Sequence, residues 1–85
     1  MKVTDSVVLD ERHSIEFGQA TWDENDISVR DRWATASGGF SPRSSSEIPL
    51  HSIPDIMIET ANRDLLDVPT TARIIEALAA SIARR

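Results

Sequence analysis

Cysteine is absent from the 85-residue sequence and histidine is scarce, which removes several classes of site. Without cysteine, neither a disulfide framework nor a thiolate metal site can form. His13 and His51 are far apart, and neither has a second histidine at ligand spacing, so zinc ligation by histidine is not expected. The sequence therefore predicts no metal and no cofactor.

Long apolar runs are also missing. No segment approaches the roughly 20 apolar residues that a membrane-spanning helix needs. The first five residues contain one lysine followed by an acid, which is not the pattern of a secretory signal. A cytoplasmic location without membrane association is expected.

Signatures of enzymes are lacking as well. The acidic residues fall in turns and on helix faces rather than as a matched pair in contrasting environments. No nucleophile signature, phosphate-binding loop or dinucleotide glycine pattern occurs. A chain of this length has little bulk with which to enclose a pocket. We predict a single domain over residues 1–85 that is not an enzyme and has no catalytic residues.

Lysine is nearly absent, and the charge balance is acidic. Lys2 is the only lysine, and nine cationic residues stand against 14 acidic ones, for a net charge of -5. This balance disfavours indiscriminate binding of nucleic acids. However, residues 27–45 contain three arginines and one aspartate. A small basic patch on an acidic body is compatible with phosphate binding, although such patches are also common on inert surfaces.

Alternation with a period of two is present in the first half of the chain. Ile15 and Phe17 alternate with smaller or polar residues, and residues 27–33 alternate between apolar and charged side chains. The residues between them, 23–26, favour a turn, so the two segments are predicted to form a β-hairpin. Residues 2–10 are interpreted as an edge strand or a loosely docked arm.

Paired glycines, Gly38 and Gly39, predict a tight turn after the second of these strands. Phe40–Pro42 is interpreted as a further extended segment, and residues 47–50 as the last one. Together these segments predict a four-stranded antiparallel sheet over residues 14–50.

Two helices are predicted after the sheet, which makes the fold class α+β. The first covers residues 53–67, with Ser52 as its expected N-cap and Pro69 beyond its end. The second covers residues 70–85 and has an apolar stripe formed by Ile74, Ile75, Leu78, Ala79 and Ile82.

Three short motifs carry a resemblance to a known family. Residues 27–33 (Ile-Ser-Val-Arg-Asp-Arg-Trp) resemble the apolar-x-apolar-Arg-acid-x-aromatic strand of the transcriptional positive cofactor four family, a Whirly-like group of single-stranded DNA-binding proteins. Residues 38–42 resemble its Gly-x-apolar-x-Pro segment, and residues 47–50 resemble its last strand before the helix. The resemblance covers roughly residues 14–66.

The resemblance implies a curved antiparallel sheet, a homodimer packed through the helix, and single-stranded nucleic acid bound on the sheet. DNA is expected rather than RNA, together with a role in transcription regulation. Four features depart from the family. The loop after Pro42 has Arg43 and three serines where the family has lysines and a glycine, lysine is scarce, the first helix lacks the family's tryptophan, and a second helix is appended. These departures predict weaker electrostatic attraction.

Three arginines are the candidate phosphate-binding residues. Arg30 and Arg32 share a strand face and are spaced roughly 6.6 Å apart along the strand, close to the phosphate repeat of a nucleic acid. The alternative is that both pair with Glu16 across the hairpin. Arg43 and Ser44 are candidates for a phosphate contact in the loop, which is otherwise a solvated connection.

Trp22 and Trp33 are the candidate stacking residues, because an exposed aromatic ring can stack on any base. Trp22 lies beside the acidic turn and is predicted to be exposed. Alternation places Trp33 with the apolar residues of its strand, which favours packing, whereas the resemblance favours ligand contact.

A second hypothesis belongs to another class of function. The acidic body and the amphipathic C-terminal helix are also typical of a small regulator or inhibitor that binds a protein partner.

Overall fold

The sheet at the start of the chain is antiparallel, and each strand pairs with its neighbour in sequence. The computed structural model describes residues 1–85. The strands are β1 (Lys2–Val8), β2 (His13–Gln19), β3 (Ile27–Trp33) and β4 (Ser46–Pro49), in the order β1-β2-β3-β4. A 3₁₀ turn (Leu50–Ser52) then leads into helices α1 (Ile53–Asn62) and α2 (Val68–Ala83). The predicted α+β class, with a curved four-stranded sheet before two helices, is confirmed.

The contacts within the chain divide it into two units, Met1–Ile53 and Pro54–Arg85. The first contains the sheet and buries few side chains, with Ala20 as its buried apolar residue and Ser28 as its buried polar one. The second contains most of α1 and all of α2. Neither helix combines the length and the apolar character that a membrane span requires.

The sheet begins earlier than residue 14, and two of its strands differ from the prediction. Residues 2–8 form a full strand paired with β2. Phe40–Pro42, by contrast, contributes only an isolated bridge between Ala34 and Phe40. Pro42 has no N–H group with which to extend a ladder, so this segment stays a loop.

Register assigns the side chains of the sheet to two faces. Glu16 lies opposite Arg30 and Ser14 opposite Arg32, while Phe17 lies opposite Val29. Because side chains alternate along a strand, one face, called the polar face, contains Ser14, Glu16, Gly18, Ser28, Arg30, Arg32 and Glu47. The other, called the apolar face, contains His13, Ile15, Phe17, Ile27, Val29, Asp31, Trp33 and Ile48.

Gly18 allows β1 to approach β2 closely at an irregularity. The register of the two strands shifts between Val3 and Asp5. A Cβ atom on Gly18 would overlap the Lys2 carbonyl oxygen and lie 2.9 Å from the Val3 Cα atom. A glycine within a strand is typical of such a close backbone approach.

Helix α1 is shorter than predicted, because a left-handed residue ends it. Asp64 has a φ of 51°. The Asp64 N–H donates to Ala61 O (3.0 Å), and the Leu65 N–H donates to Thr60 O (3.3 Å), which is the pattern of a Schellman C-cap. Ser52 is not an N-cap, because it is the last residue of the 3₁₀ turn that runs into α1.

Helix α2 begins two residues earlier than predicted. Its N-cap is Asp67, whose carboxylate accepts a hydrogen bond from the Thr70 N–H at 2.8 Å. That hydrogen bond lowers the pKa of Asp67. Pro69 lies in the first turn of the helix, where no intrahelical partner needs its missing N–H. Pro69 therefore helps to start α2, a role that the sequence analysis did not assign to it.

Candidate nucleic-acid interface

An ion pair between cross-strand partners organises the centre of the polar face. The Arg30 Nε donates to Glu16 Oε1 at 2.8 Å, and the Arg30 Nη2 lies 2.7 Å from the same oxygen. The two side chains are 19% and 13% exposed. Partial burial reduces the screening of this pair by salt. The pairing with Glu16 that we held open for Arg30 is thus present.

Arg32 lies next to this pair but forms no hydrogen bond with it. Its Nε is 3.8 Å from Glu16 Oε1, and its side chain is 30% exposed. One carboxylate therefore faces two guanidinium groups, which leaves a positive charge at this position. The planar N–H donors of Arg32 are free to bind an anionic oxygen.

An aromatic ring that the sequence analysis did not assign to the site covers both arginines. The guanidinium carbons of Arg30 and Arg32 lie 4.8 Å and 5.4 Å from the centroid of the Phe40 ring. Phe40 itself is 42% exposed. These distances allow cation–π attraction, worth about 0.5–1 kcal/mol at an exposed site. We call the three residues the Arg30–Phe40–Arg32 cluster.

A tight loop places Phe40 over the sheet. Gly38 has a φ of 92°, a conformation that few other residues tolerate. The Thr35 N–H donates to Gly39 O (2.6 Å), and the Ser41 N–H donates to Trp33 O (2.9 Å). These bonds fix the chain on both sides of Phe40, so the predicted glycine turn serves to position the aromatic ring.

The serine loop contributes less to this cluster than the sequence suggests. Ser45 Oγ accepts a hydrogen bond from the Trp33 N–H at 2.9 Å and so ties the loop to the end of β3. Arg43 and Ser44 are exposed and make no side-chain hydrogen bond. Neither forms a hydrogen bond, an ion pair or a cation–π contact with the cluster.

The β4 edge of the polar face is acidic and already paired. Glu47 Oε1 accepts hydrogen bonds from Ser28 Oγ and Thr21 Oγ1, both at 3.1 Å. The N-terminal ammonium group lies 3.8 Å from the same oxygen. The positive charge of the polar face is therefore confined to the Arg30–Phe40–Arg32 cluster.

Trp33 belongs to the opposite face of the sheet. Its indole stacks on the His13 ring, with 3.9 Å between centroids and 8° between planes. The Trp33 Nε1 donates to Asp31 Oδ2 at 3.1 Å, and the His13 Nε2 bonds to Asp31 Oδ1. The His13 hydrogen bond is the main cause that lowers the pKa of Asp31. Trp33 is thus held within a local polar network and is separated from the two arginines.

Trp22 lies at the other end of β3, in the β2–β3 loop. It is 48% exposed, and its Nε1 donates to Asp26 Oδ2 at 3.0 Å. A seven-residue strand spans roughly 20 Å, so Trp22 and Trp33 cannot form one platform for neighbouring bases. The carboxylates of residues 23–26 would repel a phosphate beside Trp22.

No protein-family model, curated protein or solved structure matches this chain. The resemblance to the positive cofactor four family therefore stays a prediction, and the function proposed below depends on the site geometry.

Proposed function

We propose that the chain binds single-stranded nucleic acid on the polar face of its sheet. The observation that carries this proposal is the Arg30–Phe40–Arg32 cluster, in which a partly exposed aromatic ring covers two guanidinium groups that share one carboxylate. An exposed ring supplies a surface for a base, and the adjacent cations supply partners for the phosphates on either side.

Each residue of the cluster has a distinct role in this proposal. Phe40 stacks on one unpaired base, a contact worth about 1–3 kcal/mol. Arg32 binds a phosphate through its free N–H groups. Arg30, held by Glu16, keeps its guanidinium group beside the ring and provides a weaker second phosphate contact.

A single strand fits this surface better than a duplex, because stacking on Phe40 requires a base that is not already stacked between neighbours. DNA as the ligand and transcription regulation as the process rest on the family resemblance. The net charge of -5 limits attraction to other phosphates, so binding depends on this local contact.

Fluorescence anisotropy of a labelled oligothymidine, compared with a duplex of equal length, tests the proposal. For two phosphate contacts on a single strand, raising the salt from 50 to 200 mM weakens binding by about seven-fold. We expect the oligothymidine to bind at micromolar protein, and the duplex to bind more weakly. Equal binding of both ligands, or no binding of either, would contradict the proposal.

Two variants locate the site. Phe40→Ala removes the stacking surface and is expected to weaken binding by about 5- to 150-fold. Arg32→Gln removes one phosphate contact and lowers the salt dependence. Trp22→Ala and Arg73→Gln remove an exposed aromatic and an exposed arginine elsewhere, and they serve as matched controls. If the controls weaken binding as much as the cluster variants do, the site lies elsewhere.

A further inference from the structure

Helix α2 presents an apolar stripe that no part of the chain buries. Val68, Ile75, Leu78 and Ile82 are 82%, 60%, 58% and 76% exposed. Neither α1 nor α2 contains a single buried residue. Exposed apolar residues that line up in this way on one helix mark an interaction surface rather than scattered surface positions.

The spacing of the stripe indicates which kind of surface would cover it. Val68, Ile75 and Ile82 are each seven residues apart, and Leu78 follows Ile75 by three. This is a heptad pattern with β-branched residues at the a positions, Thr71 at the first d position and Leu78 at the second. In parallel coiled coils, β-branched residues at a with leucine at d favour two strands.

The edges of the stripe are suited to pairing with an identical helix. In this heptad the e and g positions from residue 72 onward are uncharged, and they are Ala72, Ile74, Ala79 and Ser81. The charged residues of α2 itself lie at the outer positions f and b, and they are Arg73 and Glu76. Arg84 and Arg85 follow the end of the helix, at c and d positions. Along the helix, two parallel copies therefore bring no like charges together, and Ile74 of each lies beside the small Ala79 of the other. Beyond the helix end, the two Arg85 side chains would lie close and repel each other.

The helical unit is small and buries little. Pro54–Arg85 comprises 32 residues, and neither helix contains a buried residue. Among small units, an oligomeric contact is one common source of added stability. Such a contact on α2 would supply apolar burial that this unit lacks.

A cleft between α1 and α2 extends the same surface. Its volume is about 320 Å³, and Ile75 and Leu78 belong to both its lining and the stripe. The rest of the lining is mainly apolar and includes Met57, Ala61 and Ile74. A helix seated on the stripe would cover one side of this cleft, which adds buried area to a contact that is only two heptads long.

We propose that α2 pairs in parallel with α2 of a second copy of this chain, through Val68, Ile75, Leu78 and Ile82. This contact is independent of the proposed nucleic-acid site, because it involves none of the residues of the Arg30–Phe40–Arg32 cluster. Either proposal can fail while the other holds.

Sedimentation equilibrium of the full chain without nucleic acid tests the pairing. We expect a mass of about twice the 9.4 kDa of one chain at tens of micromolar protein. Leu78→Ala should weaken the association by about 30-fold or more, and Leu78→Glu should produce a monomer. Ala80→Glu adds the same charge at an outer f position and should leave the dimer intact.

Circular dichroism of each variant shows whether it is folded. If Leu78→Glu does not fold, Leu78→Ala carries the test. A monomeric native chain would overturn the proposal, and so would a folded Leu78 variant that associates as tightly as the native chain.

The absence of cysteine gives a direct test of orientation. One cysteine added after Arg85 should crosslink two copies under mild oxidation, because parallel helices bring their C-termini together. We expect this crosslink to form rapidly, and to form slowly in the Leu78→Ala background. A dimer that does not crosslink through this cysteine would overturn the parallel arrangement.

Discussion

Glu16 and Arg30 are direct partners across β2 and β3, and two nitrogens of Arg30 lie within 2.8 Å of one Glu16 oxygen. The carboxylate occupies the same donors that a phosphate would use. Glu16 therefore acts as an internal competitor at the proposed site, holding Arg30 in place while reducing its availability to a ligand.

We predict that Glu16→Gln strengthens the binding of oligothymidine. Loss of the carboxylate turns the weaker contact of Arg30 into a full phosphate contact and should steepen the slope of log K against log salt by up to about 0.7. Anisotropy titrations over a series of salt concentrations measure this slope.

Glu59→Gln is the matched control, because it breaks the Glu59–Arg63 ion pair of α1 and changes the net charge equally. A folded Glu16→Gln variant that binds no more tightly than Glu59→Gln would show that Arg30 does not contact the ligand.

Asp31, on the apolar face, makes the stability of the folded chain depend on pH. Its pKa in the folded chain is lowered, chiefly by the hydrogen bond from His13 and also by that from Trp33. The stabilisation that Asp31 contributes is therefore complete above the ordinary aspartate pKa of about 3.9. It disappears as the pH falls through the lower pKa of the folded state.

We predict that Asp31→Asn lowers the free energy of unfolding at neutral pH, and that the difference from the native chain narrows below about pH 4. Urea unfolding at several pH values, monitored by tryptophan fluorescence, measures this difference in unfolding free energy. Glu24→Gln serves as a control, since the Glu24 carboxylate is exposed in the β2–β3 loop and accepts no hydrogen bond in the structure. A difference that stays constant from pH 7 to pH 2 would contradict the assigned role of Asp31.

Gly18 is predicted to be intolerant of any side chain. Gly18→Ala places a Cβ atom against the β1 backbone, which cannot move as a flexible side chain would. We expect a loss of about 1–3 kcal/mol in unfolding free energy, typical of overpacking.

Gly39→Ala is the control, because a Cβ atom there meets only Thr35 Oγ1 at 3.4 Å. Urea denaturation should show a clearly lower unfolding free energy for Gly18→Ala than for Gly39→Ala. Equal stability of the two variants would mean that β1 does not approach β2 as described.

Alternation in residues 27–33 predicted both the extent of β3 and the faces of its side chains. It placed Arg30 and Arg32 together and Trp33 among the apolar residues, as observed. This part of the fold was predictable because a period of two assigns the face of each side chain in a strand.

Features that depend on a single backbone conformation were not predictable in the same way. The left-handed Asp64 ends α1 early. Asp67 caps α2 by accepting a hydrogen bond from the Thr70 N–H, whereas the sequence predicted Pro69 to lie between the two helices. Phe40 joined the site because a turn folds it back onto neighbouring arginines. The two glycines predicted the turn, but they did not indicate that the turn would place Phe40 over the sheet.

A nuclear magnetic resonance titration that follows side chains on both faces of the sheet shows directly whether oligothymidine binds at the Arg30–Phe40–Arg32 cluster. The Nε–Hε signals of Arg30 and Arg32 report on the polar face, the indole signal of Trp33 reports on the apolar face, and that of Trp22 reports on the β2–β3 loop. On addition of oligothymidine, we predict that the Arg32 signal shifts most, that the Arg30 signal follows, and that both indole signals stay in place. Shifts confined to the indoles, or no shift at any of the four signals, would contradict binding at the Arg30–Phe40–Arg32 cluster.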